Sequence, residues 1–242
     1  MLTNIQTGSA VDDLLGLMFS EQRSTGMGRP WVLLNMVSSI DGATAIDQGA
    51  TALSDDDDRA LFHAMRAISD VILVGAGTVR AEDYGPVRST RASREARQER
   101  GMTPKARLAI VSGRLNLDPG ARVFSDPDNR PLVLTGSTAP PDRVEALSEV
   151  ADVLTLETID GAGIVGALSA KVVLCEGGPT LNGQLALTGM VDEVNWTVSP
   201  VLVSGDAKRM TTGEELRPPT AMRLERALKG DRSLFLRYVR DV

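Results

Sequence analysis

Histidine and cysteine are almost missing from this chain: each occurs once in 242 residues, as His63 and Cys175. A single cysteine excludes an intramolecular disulfide and fits a reducing cytoplasm. So few of these ligands argue against a zinc site, and one histidine leaves no usual nucleophile–histidine–acid set; no metal site is expected. Aromatic residues make up 3% of the chain, so the core must be aliphatic. A basic excess is also lacking. Lys and Arg number 26 against 32 Asp and Glu, a net charge of −6, which argues against a nucleic-acid binder. No apolar run approaches the roughly 20 residues that span a bilayer. Met1–Met18 carries Asp12 and Asp13 among its apolar residues, which does not fit a signal peptide. The expectation is a cytoplasmic protein that binds neither membrane nor nucleic acid.

What is present is an unbroken alternation of strand-like and helix-like segments, the pattern of one α/β domain. Residues 10–22 read as a short amphipathic helix. Trp31–Val37, Val71–Gly77, Leu108–Val111, Pro131–Thr135, Val153–Leu156, the apolar start of Val172–Leu181 and Met190–Val198 read as strands. Helices are expected over 55–68, 141–150 and 164–170, the first capped by Ser54. Met222–Leu228 and Ser233–Val239, joined around Gly230-Asp231, predict a terminal β-hairpin and therefore a mixed sheet.

Two junctions share one design. Val71–Gly77 (VILVGAG) and Val172–Gly178 (VVLCEGG) are β-branched apolar runs that end in glycine and then open a helix. Such a turn exposes backbone N–H groups at the positive end of a helix dipole, which suits an anion such as a pyrophosphate. Gly75-Ala-Gly77 lacks the third glycine of the Rossmann fingerprint, since Arg80 stands there, so a Rossmann domain is disfavoured. Glu176-Gly177-Gly178-Pro179-Thr180 is the stronger signal: a carboxylate at a strand end, two residues without side chains, and a proline suited to a first helical turn. Either turn also admits a purely structural reading. Asp55–Asp58 reads as helix-start capping and solvation, with a metal site as the alternative. Residues 88–107 are arginine-rich, which fits a solvated loop or short helix, or arginines that hold a substrate phosphate or carboxylate. His63 reads as structural, and Cys175 as an inert small apolar residue.

Taken together, Arg29-Pro30-Trp31, Ser39-Ile40-Asp41-Gly42-Ala43, His63-Ala-Met-Arg66-Ala, Asp70-Val-Ile-Leu-Val-Gly75-Ala-Gly-Thr78-Val79, Glu176-Gly-Gly-Pro-Thr-Leu181, Val191-Asp192-Glu193 and Ser199-Pro200 resemble, in order, the riboflavin-biosynthesis pyrimidine reductase family. This is the reductase part of the bifunctional deaminase–reductase. The resemblance covers roughly residues 29–240. It implies a dihydrofolate-reductase-like three-layer α/β fold, with a mixed, mostly parallel central sheet, flanking helices and a C-terminal β-hairpin. Residues 29–242 would form the reductase domain and 1–28 an N-terminal helical extension. The implied cofactor is NADPH and the assembly a homodimer. The implied substrate is the phosphorylated pyrimidine 5-amino-6-(5-phosphoribosylamino)uracil, its ribosyl chain reduced to ribityl. The chain has no H-x-E with P-C-x-x-C, so it should not deaminate.

By that resemblance Val37 and Ala45 lie near the nicotinamide. Gly75, Thr78, Gly177, Gly178, Pro179, Thr180 and Leu181 line the cofactor, in a turn whose Gly-Gly bond is cis in some members of the fold. Ser112 and Arg114 take the 2′-phosphate, a role that suits the guanidinium fork. Arg66, Glu82, Glu176 and Arg88 contact substrate, with Arg91 as the alternative to Arg88. The family's Asp-Pro is replaced here by Asp83-Tyr84-Gly85-Pro86, so the substrate pocket is expected to differ. A carboxylate near the reacting carbon would stabilise an iminium and relay its proton. Glu82 is the first choice and Asp41 the second, with a turn role as the alternative for Asp41. Two other functions stay open: reduction of a pterin such as dihydrofolate, because fold does not fix function, and nucleotide binding without turnover.

Overall fold

The computed structural model describes residues 2–241 apart from 25, 27, 47 and 48. In chain order its elements are β1 (Thr3–Asn4), α1 (Leu14–Ser20), β2 (Trp31–Ser39), α2 (Asp56–Ile68), β3 (Val71–Gly75), α3 (Ala76–Ala81), α4 (Arg91–Gln98), β4 (Arg107–Val111), β5 (Leu132–Gly136), α5 (Pro141–Ser148), β6 (Asp152–Leu156), α6 (Gly161–Gly166), β7 (Val172–Cys175), α7 (Pro179–Leu187), β8 (Glu193–Ser199), β9 (Met222–Lys229) and β10 (Leu234–Arg240). Among the described residues the ten strands form one sheet, ordered β1-β9-β10-β8-β2-β7-β3-β4-β5-β6. Every pairing from β8 to β6 is parallel, and those joining β8, β10, β9 and β1 are antiparallel.

The strand period of two assigns each apolar residue to a layer. Leu33, Ile72, Val74, Leu108, Ile110, Val133 and Leu174 face one core with Met18 of α1, Leu61, Met65 and Ile68 of α2, and Leu147 of α5. Their neighbours Val32, Leu34, Val71, Leu73, Ala109, Leu134, Val173 and Cys175 face the other, under Ile164 and Val165 of α6 and Leu181 and Leu185 of α7. Burial of strands on both faces explains the continuous apolar runs. The result is the mixed, mostly parallel three-layer sheet with a terminal antiparallel hairpin that was expected.

Several boundaries differ from the expected ones for identifiable reasons. Asp55, not Ser54, caps α2, its carboxylate accepting from Asp58 N at 2.8 Å. The helix expected over 10–22 is confined to Leu14–Ser20, where Asp13 accepts from Gly16 N. Asp160 accepts from Gly163 N at 2.7 Å and so starts α6 before Ile164. The arginine-rich stretch holds α4, and Arg97 within it is only 1% exposed. Its guanidinium donates to the carbonyls of Ala67, Ser69 and Thr103, tying α4 to the end of α2.

The N-terminal segment is tied to the sheet. β1 pairs with β9, and Met18 is fully buried. Arg23 donates to Glu193, which also accepts from Trp31 Nε1, Asn195 Nδ2 and Arg237 Nη2 at 2.7–3.0 Å. Burial pushes the Glu193 carboxyl up, but the Arg23 and Arg237 cations outweigh it and hold the group at about 2.

Candidate active site

The carboxyl ends of β2, β3, β4 and β7 open into a cleft of about 1350 Å³. Crevices at the carboxyl ends of parallel strands are where open α/β sheets bind ligands. One side is built from bare backbone. Gly177, at φ +85°, and the cis Gly177–Gly178 peptide turn the chain out of β7. Gly178 then caps α7, with Pro179 in its first turn. Gly75 N donates to Gly177 O at 2.7 Å, so the two glycine junctions that look alike in sequence touch in space. A Cβ on Gly178 would lie 2.7 Å from Thr78 Oγ1, so this approach needs glycine. Val37, Ala45, Gly75, Thr78, Ser112, Arg114, Gly178, Pro179, Thr180 and Leu181 all line the cleft. Gly177 does not; it lies beneath, where an added Cβ would sit 3.5 Å from Met36 Sδ.

The other side is charged. Arg66 of α2 makes a two-pronged pair with Glu176, Nε to Oε1 and Nη2 to Oε2, each 2.7 Å. The side chains are 15% and 3% exposed. Tyr84 OH donates to Glu176 Oε2 at 2.7 Å, and the Arg66 guanidinium lies 4.2 Å from the Phe62 ring centre. Burial and the Glu176 carboxylate push the Tyr84 phenol well above its ordinary value, so it stays a donor. Glu82, at the end of α3, lines the cleft and accepts from Ala50 N at 3.1 Å. Arg88 lines it as an exposed cation, whereas Arg91 pairs with Glu95 outside the cleft lining. His63 also lines it; partial desolvation and the Arg66 cation push its pKa below the ordinary value.

Asp41 is placed elsewhere. Its carboxylate accepts from Ser39 Oγ at 2.5 Å and from the backbone N–H of Ser204 and Val203, which hold its pKa at about 2. It borders a smaller recess of about 460 Å³ and pins the turn after β2 to residues 203–204. The carboxylate expected as the second choice of proton relay is thus held by three donors and lies outside the lining of the larger cleft.

Tyr84 and Asp58 also line the cleft, and the sequence pattern singled out neither. Tyr84 carried a signal, since it stands where the family's proline is replaced. Asp58 carried none, being one of four consecutive aspartates. Those aspartates are dispersed: Asp55 caps the helix, Asp56 pairs with Arg59, Asp57 accepts from Asp231 N, and Asp58 lines the cleft. Among the described residues no three His, Cys, Asp or Glu side chains gather as metal ligands. Cys175 is buried against Asn182, and burial pushes its thiol up to about 12.

Residues 30–236 match the family described as the RibD C-terminal domain. The chain belongs to that family, the pyrimidine reductases of riboflavin biosynthesis. Over 226 residues, 87% of this chain and 98% of the relative, it is 31% identical to the 2,5-diamino-6-ribosylamino-4(3H)-pyrimidinone 5′-phosphate reductase of Methanothermobacter thermautotrophicus. It is also 31% identical to the reductase of the same name from Archaeoglobus fulgidus, over 193 residues, 77% of this chain and 88% of that one. In fold it is similar to a pyrimidine reductase-like protein of Corynebacterium diphtheriae, with TM-score 0.83 and 23% identity over 95% of this chain and 99% of that one. No helix of the described residues is long and apolar enough to cross a membrane.

Proposed function

We propose that this RibD-family protein is an NADPH-dependent reductase of a 6-ribosylaminopyrimidine 5′-phosphate, converting the ribosyl chain to ribityl in the cytoplasm. One observation carries the reading: a single cleft joins a side-chain-free glycine cradle to the Glu82 and Arg66–Glu176–Tyr84 group.

The residues present fit a dinucleotide. Gly75 and Gly178 leave bare backbone at the cleft, and the first turn of α7 presents N–H groups without intrahelical acceptors. Ser112 and Arg114, just past β4, supply a hydroxyl and a cation for a 2′-phosphate. Val37 and Ala45 offer apolar contact for the nicotinamide end. When bound, NADPH supplies the hydride that reduces C1′ of the ring-opened sugar. Glu82, which lines the cleft, would stabilise the iminium charge and hold the proton exchanged at the ribosyl oxygen or nitrogen. Arg66 spends Nε and Nη2 on Glu176 and keeps Nη1 for a substrate oxygen, while Tyr84 fixes the carboxylate from the far side. Arg88 adds an exposed cation for the phosphate. The protein mainly orients two reactants.

A homodimer is part of this reading. On β8, β10 and β9 the sheet face away from α1 and α2 presents Trp196, Val198, Leu224, Leu234 and Leu236, with Leu224 43% and Leu234 39% exposed. An apolar sheet face of that kind suits a two-fold partner. Light scattering should give twice the chain mass.

The deciding experiment follows loss of reduced-nicotinamide absorbance with the phosphoribosylaminopyrimidine and dihydrofolate offered in parallel. Turnover of the pyrimidine is the expected result. Turnover of dihydrofolate alone would make the protein a pterin reductase. Tight NADPH binding without oxidation by either would make it a nucleotide-binding protein.

A further inference from the structure

Resting on that reading, we propose that Lys208 is the cation that receives the cofactor's pyrophosphate, carried to the cleft on a strap formed by residues 203–212. The strap lies between β8 and β9 and has no helix or strand of its own. It is nevertheless pinned along its length. Asp41, itself outside the cleft, accepts from Ser204 N at 2.7 Å, and Ser204 and Gly205, at φ +63° and +75°, turn the chain there. Lys208 O accepts from Thr44 Oγ1 at 2.9 Å, and Met210 O from Asn182 Nδ2 at 2.9 Å. Thr212 N donates to Pro179 O at 3.0 Å. A Cβ on Gly183 would lie 2.0 Å from Thr212 O, so the end of the strap packs directly on α7. Asp206, Ala207 and Lys208 are the strap residues that line the cleft.

The place suits the pyrophosphate. Thr44, which holds Lys208, precedes Ala45 at the expected nicotinamide end. Pro179 and Asn182, which hold the next part of the strap, belong to the start of α7, where free N–H groups favour an anion. A dinucleotide that runs from Ala45 to the start of α7 therefore passes Lys208.

The charges of the cleft lead to the same residue. Arg66, Arg59 and Arg122 pair with Glu176, Asp56 and Asp83, and Arg80 donates to the Asn116 carbonyl. Among the described residues, Arg88, Arg114 and Lys208 are the cleft-lining cations whose side chains make no hydrogen bond or ion pair. Asp206 lines the cleft too, without pairing with Lys208. The proposed reaction brings three phosphate groups to this cleft. Arg88 is placed for the substrate's 5′-phosphate and Arg114 for the 2′-phosphate. The pyrophosphate has only glycine backbone and a helix terminus until Lys208 is counted. A lysine is a compact charge with three donors, enough to bridge two phosphoryl groups.

The test titrates NADPH and NADH into the wild type, Lys208→Met and Lys208→Arg by nicotinamide fluorescence, with no substrate present. Lys208 is exposed, so both variants should fold as the wild type does. Lys208→Met should weaken both nucleotides by a similar factor, roughly tenfold, because both carry the pyrophosphate. That deficit should shrink as salt is raised from about 0.01 M to about 1 M. Lys208→Arg, which keeps the charge, should stay within about threefold of the wild type. Loss of NADPH alone would make Lys208 a second 2′-phosphate contact. Unchanged affinity for both nucleotides, with or without a raised KM for the phosphorylated pyrimidine, would remove it from the cofactor. Equal losses in the Met and Arg variants would trace the effect to shape and not to charge. Each of these three results overturns the inference and leaves the reductase reading standing. If the wild type binds neither nucleotide, the reductase reading itself fails, and this inference with it.

Discussion

Replacing either partner of the Arg66–Glu176 pair should cost more than replacing both costs in excess of one. The pair is poorly exposed, at 15% and 3%, and both prongs are 2.7 Å. Arg66→Met leaves the Glu176 carboxylate with Tyr84 OH as its remaining side-chain donor; Glu176→Gln leaves a desolvated guanidinium over Phe62. Removing one partner of a buried ion pair costs about 3–5 kcal/mol, because the other charge stays uncompensated. At about 2–4 °C per kcal/mol for a chain of this size, each single variant should melt about 6–20 °C lower. The double variant buries no orphan charge, so its loss should fall short of the sum by at least about 2 kcal/mol. Urea unfolding of all four proteins at neutral pH completes the cycle. Losses that simply add, or single variants within about 1 kcal/mol of the parent, would refute the view that Glu176 is there to be neutralised by Arg66. The same cycle in kcat/KM asks whether the pair serves substrate beyond holding itself together.

Glu82→Gln should lower kcat by roughly 10²-fold or more while leaving NADPH affinity nearly unchanged, which steady-state kinetics and a cofactor titration separate. An equal loss of both would remove Glu82 from the chemistry. Arg114→Ala should erase a preference for NADPH over NADH, read as the ratio of kcat/KM for the two cofactors, with little effect on NADH itself. Glu193 predicts an acid limb of stability. Its folded pKa of about 2 lies below the ordinary carboxylate value of 4.5, so its contribution is complete above that value and is lost as pH falls toward 2. Urea midpoints should drop through that window, and Glu193→Gln, already destabilised, should show a shallower drop. An identical pH dependence in the two proteins would contradict the assignment.

The sheet was legible because its signals are local. Strands buried on both faces read as uninterrupted runs such as VILVG and VVLC, the first closing on Gly75 and the second followed two residues on by Gly177, whose φ of +85° suits glycine. What sequence could not supply was side-chain pairing over long separations. Arg66 and Glu176 each appeared as a substrate contact, yet they are 110 residues apart in sequence and spend their charge on one another. In sequence Glu82, beside Asp83, is the first choice of acid and Asp41, beside Gly42, the second. They are distinguished in space by where the backbone at 203–204 passes, which saturates Asp41 and leaves Glu82 at the cleft. Arg97 looked like any cation of a solvated run until α4 folded back on α2 and buried it.

The run Asp55–Asp58 shows why composition misleads at such a site. Four identical residues at a helix start satisfy capping and dipole arguments equally well, and nothing in the run marks one as different. The helical period turns successive residues about 100° apart, so neighbours in sequence meet different surroundings. Asp55 faces the helix start and Ser233, Asp56 faces solvent and Arg59, and Asp57 faces the hairpin turn at Asp231. Asp58 is the one turned toward the sheet, and there it meets Thr197. The clue lies in the strand rather than in the helix. In Glu193–Ser199 the residues on the face of Thr197 are Glu193, Asn195, Thr197 and Ser199, all polar and all buried. A helix laid over such a strand must bring polar partners of its own. Asp58 is the residue of α2 that does so, at the point where the polar layer reaches the cleft.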